Sequence, residues 1–332
     1  MRRRCLSDDD LSAIVKAAFF AQLRFSISYR FMSFVRRLKQ SAAEHIGELL
    51  FCLLQQSPAL PAALVGKIDA KYGEAQLLQR RLLRWAATDE EMSPSDAAYS
   101  LLGRNDIDGL LLYCFARGGF TNRVAVDIGA GDCLNGNTAN LVLFHGFSAF
   151  LIDGDERGLD VGRQVYQALQ PRVAPRFIHA FLDTDGVNEL LRRNNVPDEV
   201  DLLSIDIDSI DVFIAERLRI AARVVIVEFN NLWGPDESFS VPNSPGFQRE
   251  LDRFLYGGAS LAAFDKVLTA KGYKLVAVSS SGYDAVFVRD NDDFKRVPQR
   301  SLRSLYDENP VWRSTHAKSL HDPIRSRPWQ AI

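Results

Sequence analysis

The distribution of apolar and polar residues divides the chain into two parts. Between residues 7 and 95, apolar side chains recur at three- and four-residue steps among Lys, Arg, Gln and Glu, which is the spacing of amphipathic helices. From about residue 100, short apolar runs of strand length alternate with segments of helix length. This alternation is typical of a mostly parallel sheet that is covered by helices on both faces.

Seven apolar runs in the second part are predicted to be strands. They span residues 123–127, 149–152, 176–179, 201–205, 223–228, 274–278 and 285–288. The last two runs are separated only by the segment SSSGYD, which is too short for a crossover helix, so they are predicted to pair as an antiparallel hairpin. The predicted fold class is therefore α/β, with a seven-stranded sheet that ends in an antiparallel hairpin and an α-helical region before it.

Turn-forming residues divide the chain further. MSPSDA at 92–97 separates a helical N-terminal region, 1–95, from the sheet domain, 96–290, and residues 291–332 form a C-terminal tail. The N-terminal region has an aromatic-rich face that includes Phe19, Phe31 and Phe34. This face is predicted to pack against the rest of the protein, with a homodimer interface and a membrane-surface helix as alternatives.

Composition excludes several classes of partner. A formal net charge of -2 gives no basic field, so a nucleic-acid partner is not expected. No apolar run approaches the ~18 residues that a membrane span needs, so no integral membrane segment is expected. The four cysteines are widely spaced and form no CxxC pair, which favours reduced thiols and a cytoplasmic location.

The first strand ends in the sequence DIGAGD, residues 127–132, which indicates a nucleotide-binding loop. Gly129, Ala130 and Gly131 are predicted to form the cradle, because glycine allows a tight turn and a close approach to the ligand. A dinucleotide fingerprint needs a third glycine, and this chain has Leu134 there. The negative charge of Asp127 would also oppose a pyrophosphate, so an NAD-dependent oxidoreductase is disfavoured. S-adenosylmethionine carries a sulfonium and an ammonium group, and is the favoured cofactor.

Further polar side chains follow the next two strands. Asp153 ends the second strand, where its carboxylate is predicted to hydrogen-bond the ribose hydroxyls, with Asp155 as the alternative. After the third strand, Phe181 is predicted to pack on the adenine and Asp183 to accept a hydrogen bond from its amino group. One such group at each successive strand end strengthens the prediction of S-adenosylmethionine.

Residues 103–290 resemble class I S-adenosylmethionine-dependent methyltransferases related to the FkbM-like bacterial enzymes. The resemblance is carried by GRNDIDGLLLYCF, VDIGAGD, NTANLVLFHGFSAFLIDGD, VDLLSIDIDSID, RVVIVEFN, YGGASLAAFDKVLTAKGYKLV and GYDAVFVRD. It implies a Rossmann-like methyltransferase fold and cofactor-binding roles for Asp127, Gly129, Gly131 and Asp153. The relatives tend to have Glu in place of Asp127 and DIDGND in place of DIDSID, so Ser209 occupies a glycine position.

The DIDSID segment at the end of the fourth strand holds the candidate catalytic residues. Asp206 and Asp208 are predicted to face the methyl donor and to orient or deprotonate the acceptor, with Asp206 also in contact with the cofactor. The alternative is that Asp208 caps the following helix. With Glu228 and Asn230 at the end of the fifth strand, these oxygens are also predicted to hold a divalent metal such as Mg²⁺.

Together these features predict methyl transfer from S-adenosylmethionine to an O or N nucleophile of a small molecule, with sugars and specialised metabolites as examples. The alternative is a cofactor-binding protein with a methyltransferase fold that has lost catalysis, which Ser209 motivates. Residues 230–257 form a long connection rich in Pro, Gly and polar side chains, and are predicted to be a lid on the acceptor side. The tail, with Trp312 and Trp329, is predicted to wrap back onto the domain.

Overall fold

The computed structural model describes residues 59–88, 91–103, 105–169, 174–244, 247 and 256–332. The predicted aromatic face of the N-terminal region, and with it the predicted homodimer interface, lies outside the described residues. Residues 61–332 form one compact unit. The boundary near residue 95 stays a prediction.

Strands and helices alternate along most of the described chain. The strands are β1 (Val124–Ile128), β2 (Ser148–Asp153), β3 (Arg176–His179), β4 (Glu199–Ile205), β5 (Ala221–Glu228), β6 (Phe239–Ser240), β7 (Tyr273–Val278), β8 (Asp284–Arg289) and β9 (Gln330–Ala331). The α-helices are α1 (Ala59–Ala86), α2 (Pro94–Ala97), α3 (Ile107–Gly118), α4 (Ala139–Phe144), α5 (Glu156–Leu169), α6 (Val187–Arg193), α7 (Asp211–Arg217), α8 (Leu261–Ala270), α9 (Leu302–Glu308) and α10 (Pro310–Ser319). Two 3₁₀ turns span Asp292–Phe294 and Pro323–Ser326.

Within the described residues, seven strands form one sheet in the order β3-β2-β1-β4-β5-β8-β7. The first five of these pair in parallel, and β8 runs antiparallel to both β5 and β7. This is an α/β fold whose seven-stranded sheet ends in an antiparallel hairpin, so the predicted fold class is confirmed. The chain leaves β1 on one side toward β2 and later returns on the other side through β4, which makes the end of β1 the switch point where ligands bind in such sheets.

Side chains of the parallel strands alternate between two apolar cores, one on each face of the sheet. Ala125 packs into the first core, and its neighbours Val126 and Ile128 pack into the second. Helix α1 contributes to the first core: Trp85 stacks on Tyr113 of α3, with their ring centroids 5.2 Å apart. Among the described residues, no helix is both long enough and apolar enough to cross a bilayer.

The C-terminal tail packs onto the sheet domain, as the sequence predicted. Trp312 of α10 is fully buried, and its indole nitrogen donates a hydrogen bond to the carbonyl of Trp233 at 2.8 Å. Strand β9 pairs with β6 in a second, two-stranded antiparallel sheet. The tail therefore lies against the first part of the 230–257 connection.

Candidate functional site

The glycine loop joins the ends of β1, β2 and β4. Gly129 has φ +90°, and its amide donates to the carbonyl of Ile152 on β2 at 2.9 Å. A Cβ at this position would lie 1.7 Å from the carbonyl oxygen of Asp206, so only glycine fits between the two strand ends. Gly131 has φ +55°, and its amide donates to the Asp153 carboxylate at 2.7 Å. These two hydrogen bonds fix the glycine loop at the carboxyl ends of the strands.

Asp127 lies behind this loop and does not line the cleft. It is 2% exposed, and its carboxylate accepts a hydrogen bond from the Thr138 hydroxyl at 2.6 Å. Burial raises the pKa of Asp127, and the hydrogen bonds from Thr138 and Ser204 act against that rise. The geometry gives Asp127 a role in fixing the start of α4 against β1, whereas the resemblance implied that it binds the cofactor.

Asp153 ends β2 with both carboxylate oxygens turned to backbone amides. One oxygen accepts from Gly131, and the other accepts from the amide of Asp155 at 2.7 Å. Each carboxylate oxygen has a second lone pair, so Asp153 keeps acceptor capacity toward the cleft. Asp155 also lines the cleft, and its carboxylate accepts from the amide of Arg157 at 3.1 Å in the first turn of α5.

Phe181 stands at the mouth of the cleft and is 79% exposed. Its ring lies over Gly154, where a Cβ would come within 2.7 Å of a ring carbon. Because one face of the Phe181 ring lies against the backbone of Gly154, the opposite face can stack on a planar ligand. Asp183 lines the same wall, but one of its oxygens accepts the amides of Asp185 and Gly186 in the turn before α6.

Three carboxylates meet at the ends of β4 and β5. Asp206, Asp208 and Glu228 each place an oxygen within 4.8 Å of the others. The hydrogen bond between the Asp206 and Glu228 carboxyl groups acts to lower the pKa of Asp206 and to raise that of Glu228. Burial is the main cause that raises the pKa of both groups, to about 7 for Asp206 and well above the ordinary value for Glu228.

The DIDSID loop is shaped by Asp211. The buried Asp211 carboxylate accepts the amide of Ile207 at 2.6 Å and that of Ser209 at 2.7 Å. Burial raises the pKa of Asp211 to about 6, and these two hydrogen bonds oppose the rise. The left-handed residue of the loop is Asp208, with φ 58°, and Ser209 does not share that conformation. Serine therefore fits at position 209 without the strain of a left-handed backbone.

Asn230 follows β5, and its amide group is bound to the connection. Its nitrogen donates to the carbonyl of Gly257 at 2.8 Å, and its oxygen accepts the amide of Leu232 at 3.0 Å. Asn230 thus ties the start of the 230–257 connection to its end. With Asn230 bound to the connection, the candidate ligands of a metal ion are Asp206, Asp208 and Glu228.

Asp284 is a further carboxylate beside Asp206 and Glu228, and it was not among the site residues predicted from the sequence. It begins β8, directly opposite Glu228 in the antiparallel register, and its charge contributes to the raised pKa values of Asp206 and Glu228. Asn105 donates to Asp284 at 2.8 Å, from a backbone with φ 61°. The predicted hairpin could have indicated the position of Asp284, because a strand that returns antiparallel begins at the edge where the parallel strands end.

These elements enclose a cleft of about 890 Å³ beyond the carboxyl ends of the parallel strands. Gly129, Phe181, Ser209 and Phe247 are among its lining residues. The charged side chains in the described lining are six aspartates and one arginine: Asp153, Asp155, Asp183, Asp185, Asp206, Asp208 and Arg217. The field in the cleft favours a cationic ligand and opposes a pyrophosphate.

No protein-family model and no curated protein matches the chain. Solved structures with a similar fold are S-adenosylmethionine-dependent methyltransferases. The magnesium protoporphyrin IX methyltransferase of Synechocystis PCC 6803 with bound SAH is 15% identical over 67% of this chain and 96% of that chain, with a TM-score of 0.36. A putative caffeoyl-CoA O-methyltransferase from Staphylococcus aureus is 12% identical over 67% and 96%, with a TM-score of 0.38. A SAM-dependent methyltransferase from Aquifex aeolicus is 15% identical over 59% and 97%, with a TM-score of 0.33. At these values the likeness concerns the fold alone.

Proposed function

We propose that the protein transfers a methyl group from S-adenosylmethionine to an O or N nucleophile of a small molecule. The observation that carries the proposal is the glycine-lined cleft at the switch point of the sheet, whose described lining carries six aspartates against one arginine. Because this cleft would repel a pyrophosphate, it fits a nucleoside that bears a sulfonium and an ammonium group better than it fits NAD.

The residues of the cleft fit the parts of this cofactor. Gly129 and Gly131 would hold the loop clear of the amino-acid part, and Asp153 would accept hydrogen bonds from the ribose hydroxyls through its remaining lone pairs. Phe181 would lie on the adenine. S-adenosylmethionine supplies the chemistry itself, an electrophilic methyl carbon on a sulfonium that leaves as a neutral thioether.

Asp206 and Asp208 are proposed to act on the acceptor. Both line the cleft where β4 ends, so either carboxylate is placed to accept a proton from an acceptor hydroxyl or ammonium group while holding its O or N toward the methyl carbon. The hydrogen bond from Glu228 fixes the orientation of the Asp206 carboxyl group. We also propose that the protein is related to the FkbM-like enzymes, which the motifs quoted above support. A cytoplasmic location is part of the proposal and is supported by the widely spaced cysteines.

Replacing Asp153 by alanine is expected to weaken binding of S-adenosylhomocysteine by ~1–3 kcal/mol, because the ribose hydroxyls lose a charged acceptor. Titration calorimetry with S-adenosylhomocysteine, and with NAD as a second ligand, measures the effect. Asp155→Ala tests the alternative ribose acceptor, and it should leave the affinity nearly unchanged because its carboxylate caps the first turn of α5. A loss of affinity in Asp155→Ala alone would move the ribose role to Asp155. Binding of NAD but not of S-adenosylhomocysteine by the wild-type protein would refute the proposed cofactor.

If the protein binds the cofactor without catalysing transfer, titration calorimetry is expected to give the same affinities. The two hypotheses differ in turnover, because only an enzyme forms S-adenosylhomocysteine from S-adenosylmethionine when an acceptor is present. A panel of sugars, phenols and amines, assayed for S-adenosylhomocysteine, separates them. The backbone of the DIDSID loop favours the enzyme, since Ser209 does not occupy the left-handed position that would require glycine.

A divalent metal at the carboxylate group is a second part of the proposal. Asp206, Asp208 and Glu228 offer three hard oxygens within 4.8 Å of one another, which is a donor set that suits Mg²⁺ or Ca²⁺ better than Zn²⁺. Burial first, and then repulsion among the carboxylates, raise the pKa values of Asp206 and Glu228, and a bound cation would relieve that repulsion. A bound cation would lower the pKa of an acceptor hydroxyl in its coordination sphere.

Chelation is therefore expected to reduce methyl transfer, and Mg²⁺, Mn²⁺ or Ca²⁺ added back is expected to restore it. The measurement compares transfer rates of untreated, EDTA-treated and reconstituted protein. Glu228→Gln should weaken the response to added metal, while Asp183→Asn, whose carboxylate binds the turn before α6, should not. Transfer that is indifferent to chelation would eliminate the metal and leave Asp206 and Asp208 as the groups that act on the acceptor.

A further inference from the structure

The last residues of the chain bind the connection that follows β5. Strand β9 pairs with β6 so that Ala331 faces Phe239 and Gln330 faces Ser240. The Gln330 side-chain oxygen also accepts the backbone amide of Asn243 at 3.3 Å. A two-stranded pairing of this length is only marginally stable in water, so further contacts are needed to hold it.

Trp329 supplies such contacts, and it does so at both ends of the connection. Its ring packs edge-on against Trp233, near the start, and against Tyr256, near the end, with both centroid distances at 5.0 Å. The Tyr256 hydroxyl donates to the carbonyl of Pro328 at 2.6 Å, and the Trp329 indole nitrogen donates to the carbonyl of Ile324 at 2.9 Å. One side chain thus clamps the two ends of the connection together.

The clamped connection forms part of the cleft wall. Asn243 and Phe247 both line the cleft, and the Phe247 ring contacts Tyr256 with centroids 5.7 Å apart. Contacts therefore run without a break from Trp329 through Tyr256 to Phe247, and from Gln330 to Asn243. A wall residue that is fixed before the ligand arrives does not have to be ordered during binding.

We propose that Trp329 is a positioning residue for the cleft, which acts by holding Asn243 and Phe247 in the wall that faces the cofactor and acceptor. The inference rests on the proposed function for the identity of the ligand, but the clamp itself is a property of the free protein. Loss of the clamp reduces the fraction of molecules with a complete wall, and the apparent affinity falls by the same fraction.

The test compares Trp329→Ala, Trp329→Phe and Leu320→Ala, the last being an exposed tail position that serves as the control. Trp329→Ala is expected to speed hydrogen exchange of the amides of residues 239–241 and 243 and to weaken S-adenosylhomocysteine binding by about tenfold. Trp329→Phe keeps an aromatic ring and is expected to restore most of both properties. In transfer assays, Trp329→Ala should raise KM and leave kcat nearly unchanged.

Two results would overturn the inference. Unchanged exchange of residues 239–241 and 243 in Trp329→Ala would show that the ring does not hold the connection. Faster exchange with unaltered affinity would show that the clamp does not position the cleft wall. If the wild-type protein fails to bind S-adenosylhomocysteine, the proposed cofactor is wrong, and the exchange comparison of Trp329→Ala with Trp329→Phe then decides whether the clamp exists.

Discussion

Replacing Gly129 by valine is expected to abolish measurable binding of S-adenosylhomocysteine. The valine Cβ would lie 1.7 Å from the Asp206 carbonyl oxygen, and the backbone at φ +90° is one that a β-branched residue avoids. Both strand ends would have to move apart, which would displace the loop and Asp206 together. Titration calorimetry measures binding, and circular dichroism checks that the fold survives. Gly129→Ala, with the same Cβ and less bulk, is the second variant should valine prevent folding.

Gly131→Ala is the matched control, because it separates backbone strain from steric clash. Gly131 also has a positive φ, +55°, but a Cβ there would meet no described atom within 4 Å. A strain of roughly 1–2 kcal/mol is expected for a non-glycine residue in this conformation, with binding weakened but retained. Normal binding by both Gly129 variants would show that the loop is not the cofactor cradle.

The sheet was predictable because each strand leaves a local signature. Strands that are buried on both faces read as unbroken apolar runs, and all seven predicted runs are strands of the main sheet. The brevity of the SSSGYD segment predicted the antiparallel hairpin of β7 and β8, which the register confirms. The strand order is a non-local property, and the periodicity along the chain does not report it.

Placement of a residue in the cleft was predictable only where it depends on position along one strand. Asp153 and Asp206 lie at strand ends and line the cleft, as the sequence indicated. Asp127 also ends a strand, but it is buried behind the loop, because Thr138 at the start of α4 folds back to bind it. The partnership of Asp284 with Asn105 joins residues 179 positions apart, and no local pattern reports such a contact.

Replacing Asp206 by asparagine is expected to reduce methyl transfer by ~10²–10⁴-fold, the usual contribution of a positioned proton acceptor. The amide keeps the size of the side chain, and its oxygen still accepts the hydrogen bond from Glu228, but it neither takes a proton nor carries charge beside the sulfonium. Formation of S-adenosylhomocysteine measures the loss. Asp185→Asn, which also changes a cleft aspartate, is the control and should retain transfer. Equal activity of the two variants would remove Asp206 from the chemistry.

The same Asp206→Asn variant is expected to be more stable than the wild-type protein at high pH, when both are compared without metal. Burial first, and then the charges of Asp208, Asp211 and Asp284, raise the pKa of Asp206 from 3.8 to about 7. Between these values the folded wild-type protein binds more protons than the unfolded chain, so its free energy of unfolding falls as the pH rises and stays lower above 7. Asp206→Asn lacks this titration. Calorimetric melting in the presence of a chelator should therefore give a higher melting temperature for the variant above pH 7 and a difference that vanishes below pH 3.8. A variant that is less stable than the wild-type protein at high pH would mean that the folded protein stabilises the charged form of Asp206. That result would contradict the repulsion among the carboxylates on which both the cofactor and the metal proposals depend.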